Sequence, residues 1–298
     1  MKSDLAATRR RLAVTAFGML TLFAGASVTA PSATAAPTKL AALPVVDMAR
    51  VDVAAQLEPK CGDTRKLSDN ASTKLVQQAL TARGYSTTAD GWYGSESTSK
   101  YIAWQAEHLG YNGIDANGLP GISSLTALGA GRFTLLHKIN IGSRNDNYRG
   151  VRVNTRTKMM LQAADNLLPG WNFTLVQGSY RYPNGAPDSM GTHDGGGVVD
   201  VSVAGLSSTQ RWQEVRALRT VGFAAWLRTP PSFPYHIHAV AIADPDIWQG
   251  PPFTANYTNR NQVCDYYRGD AGLKGDGRDN TPAAYRVAFT WWEKFKDL

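Results

Sequence analysis

At 298 residues, with 43% hydrophobic and 18% charged side chains, the chain is long enough for two domains and lacks the bias of a disordered protein. Its formal net charge of +7 falls to about +4 once the first 35 residues are set aside, because Lys2, Arg9, Arg10 and Arg11 leave together with Asp4. That mild excess suits an anionic surface such as a cell wall and does not indicate nucleic acid.

Residues 1–35 read as an export signal. A basic start is followed by the apolar, small-residue run Leu12 to Val28 and by Ala33-Thr34-Ala35, a small-x-small cleavage pattern. Gly18, Gly25 and Ser27 interrupt the run, which argues against a permanent membrane span, and no other run of 18 apolar residues follows. Thr8 to Leu12 fits a twin-arginine signal and an ordinary secretory signal equally. Either implies a secreted, extracellular or wall-associated protein.

Residues 36–60, a mixture of Pro, Ala and Val, are expected to be a linker. From Ser72, Leu75, Val76, Ala79 and Leu80 recur at helical spacing until Gly84. Asp90 to Gly94 is a turn, Thr98 to Leu109 a second helix, and Asp115 to Leu128 a glycine turn with a short helix. Ser97-Thr98-Ser99-Lys100 and Ser68-Asp69-Asn70 mimic two motifs of serine penicillin-binding enzymes, but their order is reversed and the Lys-Thr-Gly element is missing.

After Gly131 the composition shifts. Thr157 to Leu168 is expected to be a helix with Met159, Met160, Leu161 and Ala164 inward, followed by strands at Phe173 to Gln177 and Val198 to Val203. Ser208 to Thr220 reads as a helix, and Gly222 to Leu227 and Tyr235 to Ile242 as strands. The order predicts an α+β domain, a small antiparallel sheet with helices packed against it. Asp265 to Asp279 is expected as a loop and Ala283 to Phe295 as a closing helix.

The chemistry concentrates between Gly178 and Ala241. Three of the five histidines lie there: His193 before three glycines, and His236 and His238 in Tyr-His-Ile-His-Ala-Val. On a strand, His236 and His238 leave the same face. Asp200 sits inside an apolar strand, where a carboxylate is rarely buried unpaired. Catalytic zinc takes three such ligands, although a lone His-x-His pair on a strand is more often a half-buried or exposed pair. The two cysteines, Cys61 and Cys264, form an even pair that outside the cell implies a disulfide, and their distance from the histidine cluster in sequence argues against metal ligation.

Taken together, Ser179-Tyr180-Arg181, His193 with Asp200 seven positions on, Gly196 and the downstream His238 resemble the LAS group of zinc peptidases. That group includes the D-alanyl-D-alanine carboxypeptidases of peptidase family M15, the lysostaphin-type endopeptidases and the hedgehog domain. The resemblance covers roughly half the chain and implies Zn2+ held by His193, Asp200 and His238, with water as nucleophile. Where many members carry an acid two residues before the last ligand, this chain has His236, which places it nearer the His-x-His members, in which that histidine acts on the water. Gly191 and Val198 also depart from the family pattern, which bears on substrate choice. Arg181 is implied to meet a substrate carboxylate or the developing oxyanion.

Gln77 to Tyr85, Asp90 to Gly94, Trp104-Gln105 and Gly118 to Gly121 resemble the three-helix peptidoglycan-binding domain 1 module. Trp92, Tyr93 and Trp104 are expected to pack in its core or turns. The implied organisation is signal 1–35, linker 36–60, wall-binding module 61–131 and catalytic domain 132–298, in a monomer with peptidoglycan as partner. Two functions stay open: a D-alanyl-D-alanine carboxypeptidase or endopeptidase, and an inactive wall-binding protein with a structural metal.

Overall fold

The computed structural model describes residues 41–61, 70–168, 170–182, 191–247, 258–273 and 277–297, so the expected export signal lies outside the described residues. The fold falls within one compact unit, Ala42–Leu298, which the expected boundary at 131/132 does not divide.

The expected linker needs the largest correction. Within it Val45–Asp47 forms a strand (β1) and Met48–Cys61 a helix (α1). Val51, Val53, Ala54, Ala55 and Leu57 are all fully buried. Apart from Arg50, the helix is buried from Met48 to Glu58 and has no polar stripe, and Asp52, Gln56 and Glu58 break its apolar run, so no amphipathic period marks it in the sequence. These polar groups are buried as well. The Gln56 amide donates to the Asp244 carbonyl at 3.1 Å and accepts the Ala243 N–H at 2.8 Å, while Glu58 accepts the Tyr93 N–H.

Asn70–Ala82 (α2), Ser95–Ala103 (α3), which continues as a π turn over Trp104–His108, and Ile122–Gly129 (α4) follow in the expected order. Two glutamines lock the turns between them. Gln77 donates to Asp90 Oδ1 and to the Trp92 carbonyl, both at 2.9 Å, and accepts the Gly91 N–H at 2.8 Å. Gln105 donates to the Leu119 carbonyl at 3.0 Å and accepts the Gly118 N–H at 2.8 Å. Tyr93 and Trp104 are fully buried in the core, as expected of packing residues.

Thr134–Leu136 (β2) pairs in parallel with β1, and Asp146–Tyr148 (β3) forms a hairpin with Val151–Val153 (β4). The sequence reading has none of these four strands, because three residues are too few to show an alternation. Asn154 caps Thr155–Asp165 (α5) by accepting the Thr157 N–H at 2.7 Å, which starts that helix two residues before the expected point. Met160, Leu161 and Ala164 face inward, but Met159 is 47% exposed and points out.

The main sheet contains Leu175–Gln177 (β5), Val198–Ser202 (β6), Phe223–Arg228 (β7) and His236–Ala241 (β8) in the order β5-β6-β8-β7, with every pair antiparallel. Ser208–Thr220 (α6) has the expected bounds, set by a capping box between Ser207 and Gln210. The chain is therefore α+β with a small antiparallel sheet. One face of the sheet, with Val199, Val201, Ile237 and Ala239, packs on Met160, Leu161, Val215 and Leu218 of α5 and α6. Val198, Ala224, Trp226 and Val240 of the other face join the core that contains α1.

The tail also differs from expectation. Thr258–Arg268 forms a helix (α7) that takes in the first residues of the expected loop. The expected closing helix is reduced to a 3-10 turn at Ala283–Tyr285 and a short helix, Trp292–Lys296 (α8). The expected disulfide, Cys61–Cys264, joins α1 to α7 with a Cα–Cα distance of 5.5 Å. Among the described residues no helix is long and apolar enough to cross a membrane.

Candidate metal centre

Sheet register assembles most of the site. Asp200 on β6 stands directly opposite His238 on β8, and Ser202 opposite His236, so the two-residue period puts Asp200, His236 and His238 on one face. His193 arrives from the bend that precedes β6. The Arg181 N–H donates to the His193 carbonyl at 3.0 Å, the Tyr180 N–H to the Gly195 carbonyl at 2.7 Å and the Gly196 N–H to the Asp246 carbonyl at 2.8 Å. Gly196 has a steric reason, since a Cβ there would lie 2.5 Å from the Tyr180 hydroxyl and 2.8 Å from Asp246 Cβ. That hydroxyl donates to Asp246 Oδ2 at 2.7 Å and accepts from Asn154 at 3.2 Å, which pins Tyr180 at its left-handed φ of +59°.

The three expected ligands meet. His193 Nε2 lies 3.2 Å from Asp200 Oδ2, His238 Nδ1 lies 2.8 Å from Asp200 Oδ1, and one ligand atom from each residue falls within 4.8 Å of the others. The opposite edge of each imidazole is occupied. His193 Nδ1 meets the Gly178 carbonyl at 3.0 Å, and His238 Nε2 meets Gln262 Oε1 at 3.1 Å. Both partners only accept, so those ring nitrogens carry the protons when the rings are neutral. The inward nitrogens, His193 Nε2 and His238 Nδ1, face the Asp200 carboxylate, which either a proton on the ring or a shared metal ion satisfies.

The charge states suit a metal ion. Burial disfavours the Asp200 carboxylate, yet hydrogen bonds from His193 and His238 outweigh it and hold the group ionised well below the usual carboxylate range. Burial pushes His238 toward its neutral form; Asp200 opposes this, while the positive charges of His193 and Arg228 favour it. An ionised carboxylate with a neutral imidazole is the state in which both ligate. The cluster of His193, Asp200 and His238 can therefore hold a metal ion.

His236 lies at the more open side. Its Nδ1 donates to the Pro234 carbonyl at 2.8 Å, and its Nε2 lies 3.8 Å from Asp200 Oδ1. Side-chain exposure rises from 1% at His193 to 16% at His236, so solvent reaches the cluster from the His236 side. Arg181 is beside His193 through the backbone, and its side chain is exposed. Gln262 has no counterpart in the sequence reading. Its only signal is the apolar group Val263, Cys264 and Tyr266 beside it, which α7 buries. Comparison of the chain with models of protein families, with curated proteins and with solved structures finds no match.

Proposed function

We propose that the chain is an exported zinc-dependent peptidoglycan peptidase, hydrolysing D-alanyl-D-alanine or a related stem-peptide bond in the manner of the LAS peptidases its motifs resemble. The observation that carries this reading is the inward facing of His193 Nε2, His238 Nδ1 and the Asp200 carboxylate while hydrogen bonds hold the outer edges of both rings. Two imidazoles and one carboxylate match the donor set of catalytic zinc. When bound, zinc supplies a Lewis acid that polarises the scissile carbonyl and acidifies water.

The chain's own groups supply the rest. Gly178 and Gln262 fix the ring orientation of His193 and His238, so the ligand set is formed before the metal enters. His236 donates through Nδ1 to the Pro234 carbonyl, so its neutral form presents a basic Nε2 at the solvent side, placed to take a proton from the attacking water and return it to the leaving amine. Arg181 offers a planar fork of donors to a terminal carboxylate or to the tetrahedral oxyanion.

The segment 61–131 acts in this reading as the wall-binding module, and the turn-locking glutamines Gln77 and Gln105 give its motif a structural meaning. Asn117 donates to the Pro245 carbonyl at 2.7 Å, and Arg144 bridges Asp115 at 2.6 Å and Asp246 at 2.7 Å. These bonds hold the module against the end of the sheet, so wall binding would present the substrate to the site in a fixed direction. A monomer outside the membrane, free or wall-associated, satisfies these requirements.

Mass spectrometry of purified peptidoglycan digested with the full chain, with and without chelator, tests the reading. The expected result is metal-dependent release of D-alanine or of a split cross-link, lost in His236→Ala while zinc remains bound. Equal product from wild type and that variant, at the level of a protein-free control, would replace the peptidase with a wall-binding protein whose metal is structural.

A further inference from the structure

Strand β5 reaches the metal centre through an irregularity. Leu175 pairs with Val201, but two residues later Gln177 pairs with Asp200, where an unbroken antiparallel ladder would set it against Val199. The extra residue makes a β-bulge, and the bulge changes the side of the sheet that Gln177 joins. An even ladder would leave Gln177 beside Leu175, among the apolar side chains that pack on α5 and α6; the bulge turns it to the face of Asp200, His236 and His238. In the next residue, the Gly178 carbonyl meets His193 Nδ1 at 3.0 Å, so this end of β5 addresses two of the three candidate ligands.

Gln177 carries an unsatisfied group. Its Nε2 is buried and has no hydrogen-bond partner among the described residues, although a side-chain amide offers two donors. Folded proteins leave few such groups, and each needs a physical cause. The ligand set supplies one. The outer edge of His193 is held by Gly178 and that of His238 by Gln262, whereas the Asp200 carboxylate meets only His193, His236 and His238 among the described residues. Asp200 is thus the ligand without an outer partner, and the orphaned amide belongs to the residue directly opposite it on the neighbouring strand.

We propose that Gln177 is a positioning residue of the metal centre: with a divalent ion held by His193, Asp200 and His238, its amide donates to the Asp200 carboxylate and fixes the orientation of that ligand. The inference rests on the metal centre of the peptidase reading, and its test needs no substrate. Ligating carboxylates are held by outer hydrogen bonds as ligating imidazoles are, and loss of such a bond weakens metal binding about 10- to 100-fold. The burial of Nε2 keeps the amide away from a substrate, so Gln177 acts through Asp200.

Competition of the full chain against a chromogenic chelator, with zinc as the probe, provides the test. Gln177→Leu should bind zinc at least about tenfold more weakly than wild type. Its melting temperature without metal should equal or exceed that of wild type, because a buried unpaired donor is gone, while the rise produced by zinc shrinks. A role in folding alone predicts the reverse: lower melting without metal and an unchanged zinc affinity. Gln177→Met takes its place if the leucine variant does not fold, and Val176→Ala, on the same bulge but 61% exposed, should keep the wild-type affinity. Folded Gln177 variants that hold zinc within twofold of wild type, or an equal loss in Val176→Ala, would overturn the inference and leave the metal centre standing. Absence of zinc binding by the wild-type chain would overturn both.

Discussion

Replacement of Gln262 by Leu tests how the metal centre is held. Gln262 is 3% exposed, and its Oε1 is 3.1 Å from His238 Nε2, the nitrogen that must keep its proton if Nδ1 is to ligate. Leucine fills similar space and offers no acceptor, so the Nε2–H is left buried and unpaired at a cost of about 1–3 kcal/mol. The imidazole can avoid that cost by moving its proton to Nδ1, where Asp200 accepts it, and in that tautomer the ligating lone pair is gone. Loss of such an outer partner weakens metal binding about 10- to 100-fold, or about 1.4–2.7 kcal/mol, which agrees with the cost of the unpaired donor. Competition against a chromogenic chelator measures this directly, without any assumption about substrate. Gln262→Glu keeps an acceptor, raises the basicity of the ring and should bind zinc at least as tightly as the parent. If the leucine variant is folded and holds zinc within twofold of wild type, or if the glutamate variant is the weaker of the two, the assigned orientation of His238 is wrong.

The remaining predictions concern stability. Cys61→Ser/Cys264→Ser opens a loop of 203 residues, which the entropic model values at about 5 kcal/mol as an upper figure; thermal melting should fall steeply, and an unchanged midpoint would mean that α1 and α7 hold together by packing alone. Glu214 is 1% exposed, and burial, with the nearby charge of Asp165 adding to it, pushes its carboxyl up to about 7 from an ordinary 4.5. A raised carboxyl favours the folded state most below pH 4.5 and loses that advantage as pH climbs toward 7, by about 2 kcal/mol once solvent screening is allowed for. Urea titrations at pH 4.5 and 7 should therefore show a smaller fall in stability for Glu214→Gln than for wild type, and identical slopes would refute the assignment.

The sheet and its ligands were legible because both obey a two-residue period. Val-Val-Asp-Val-Ser and His-Ile-His-Ala-Val place Val199, Val201, Ile237 and Ala239 on one face and Asp200, His236 and His238, with Val198 and Val240, on the other, and the pairing of Asp200 with His238 turns that alternation into contact. α6 has the bounds the sequence led one to expect, and the structure supplies their cause in the capping box of Ser207 and Gln210. α1 was not legible, since a helix buried nearly all round shows no period, and its Gln56 and Glu58 find partners far away in the chain. The short strands β1 to β4 gave too few residues to read. The tail was misjudged for a different reason: glycine and charge in 265–279 suggested a loop, whereas α7 ends only at Arg268, where Gly269 at a φ of +73° closes it.

What the sequence hid most completely is that the metal centre depends on both ends of the described chain. His238 is oriented by Gln262, Gln262 is carried by α7, and α7 is bonded through Cys264 to Cys61 at the end of α1, the segment that reads as a linker. α1 in turn holds the far end of β8 through Gln56, which bonds Ala243 and Asp244. The two candidate ligands supplied by sheet register, Asp200 and His238, are therefore enclosed between the strands they belong to, β6 and β8, and a helix held by the disulfide, by α1 and by the Tyr266–Trp226 contact. A centre built this way is a property of the whole unit: residues 132–298 alone retain every ligand, yet without α1 they lack both the partner of Cys264 and the amide that secures β8.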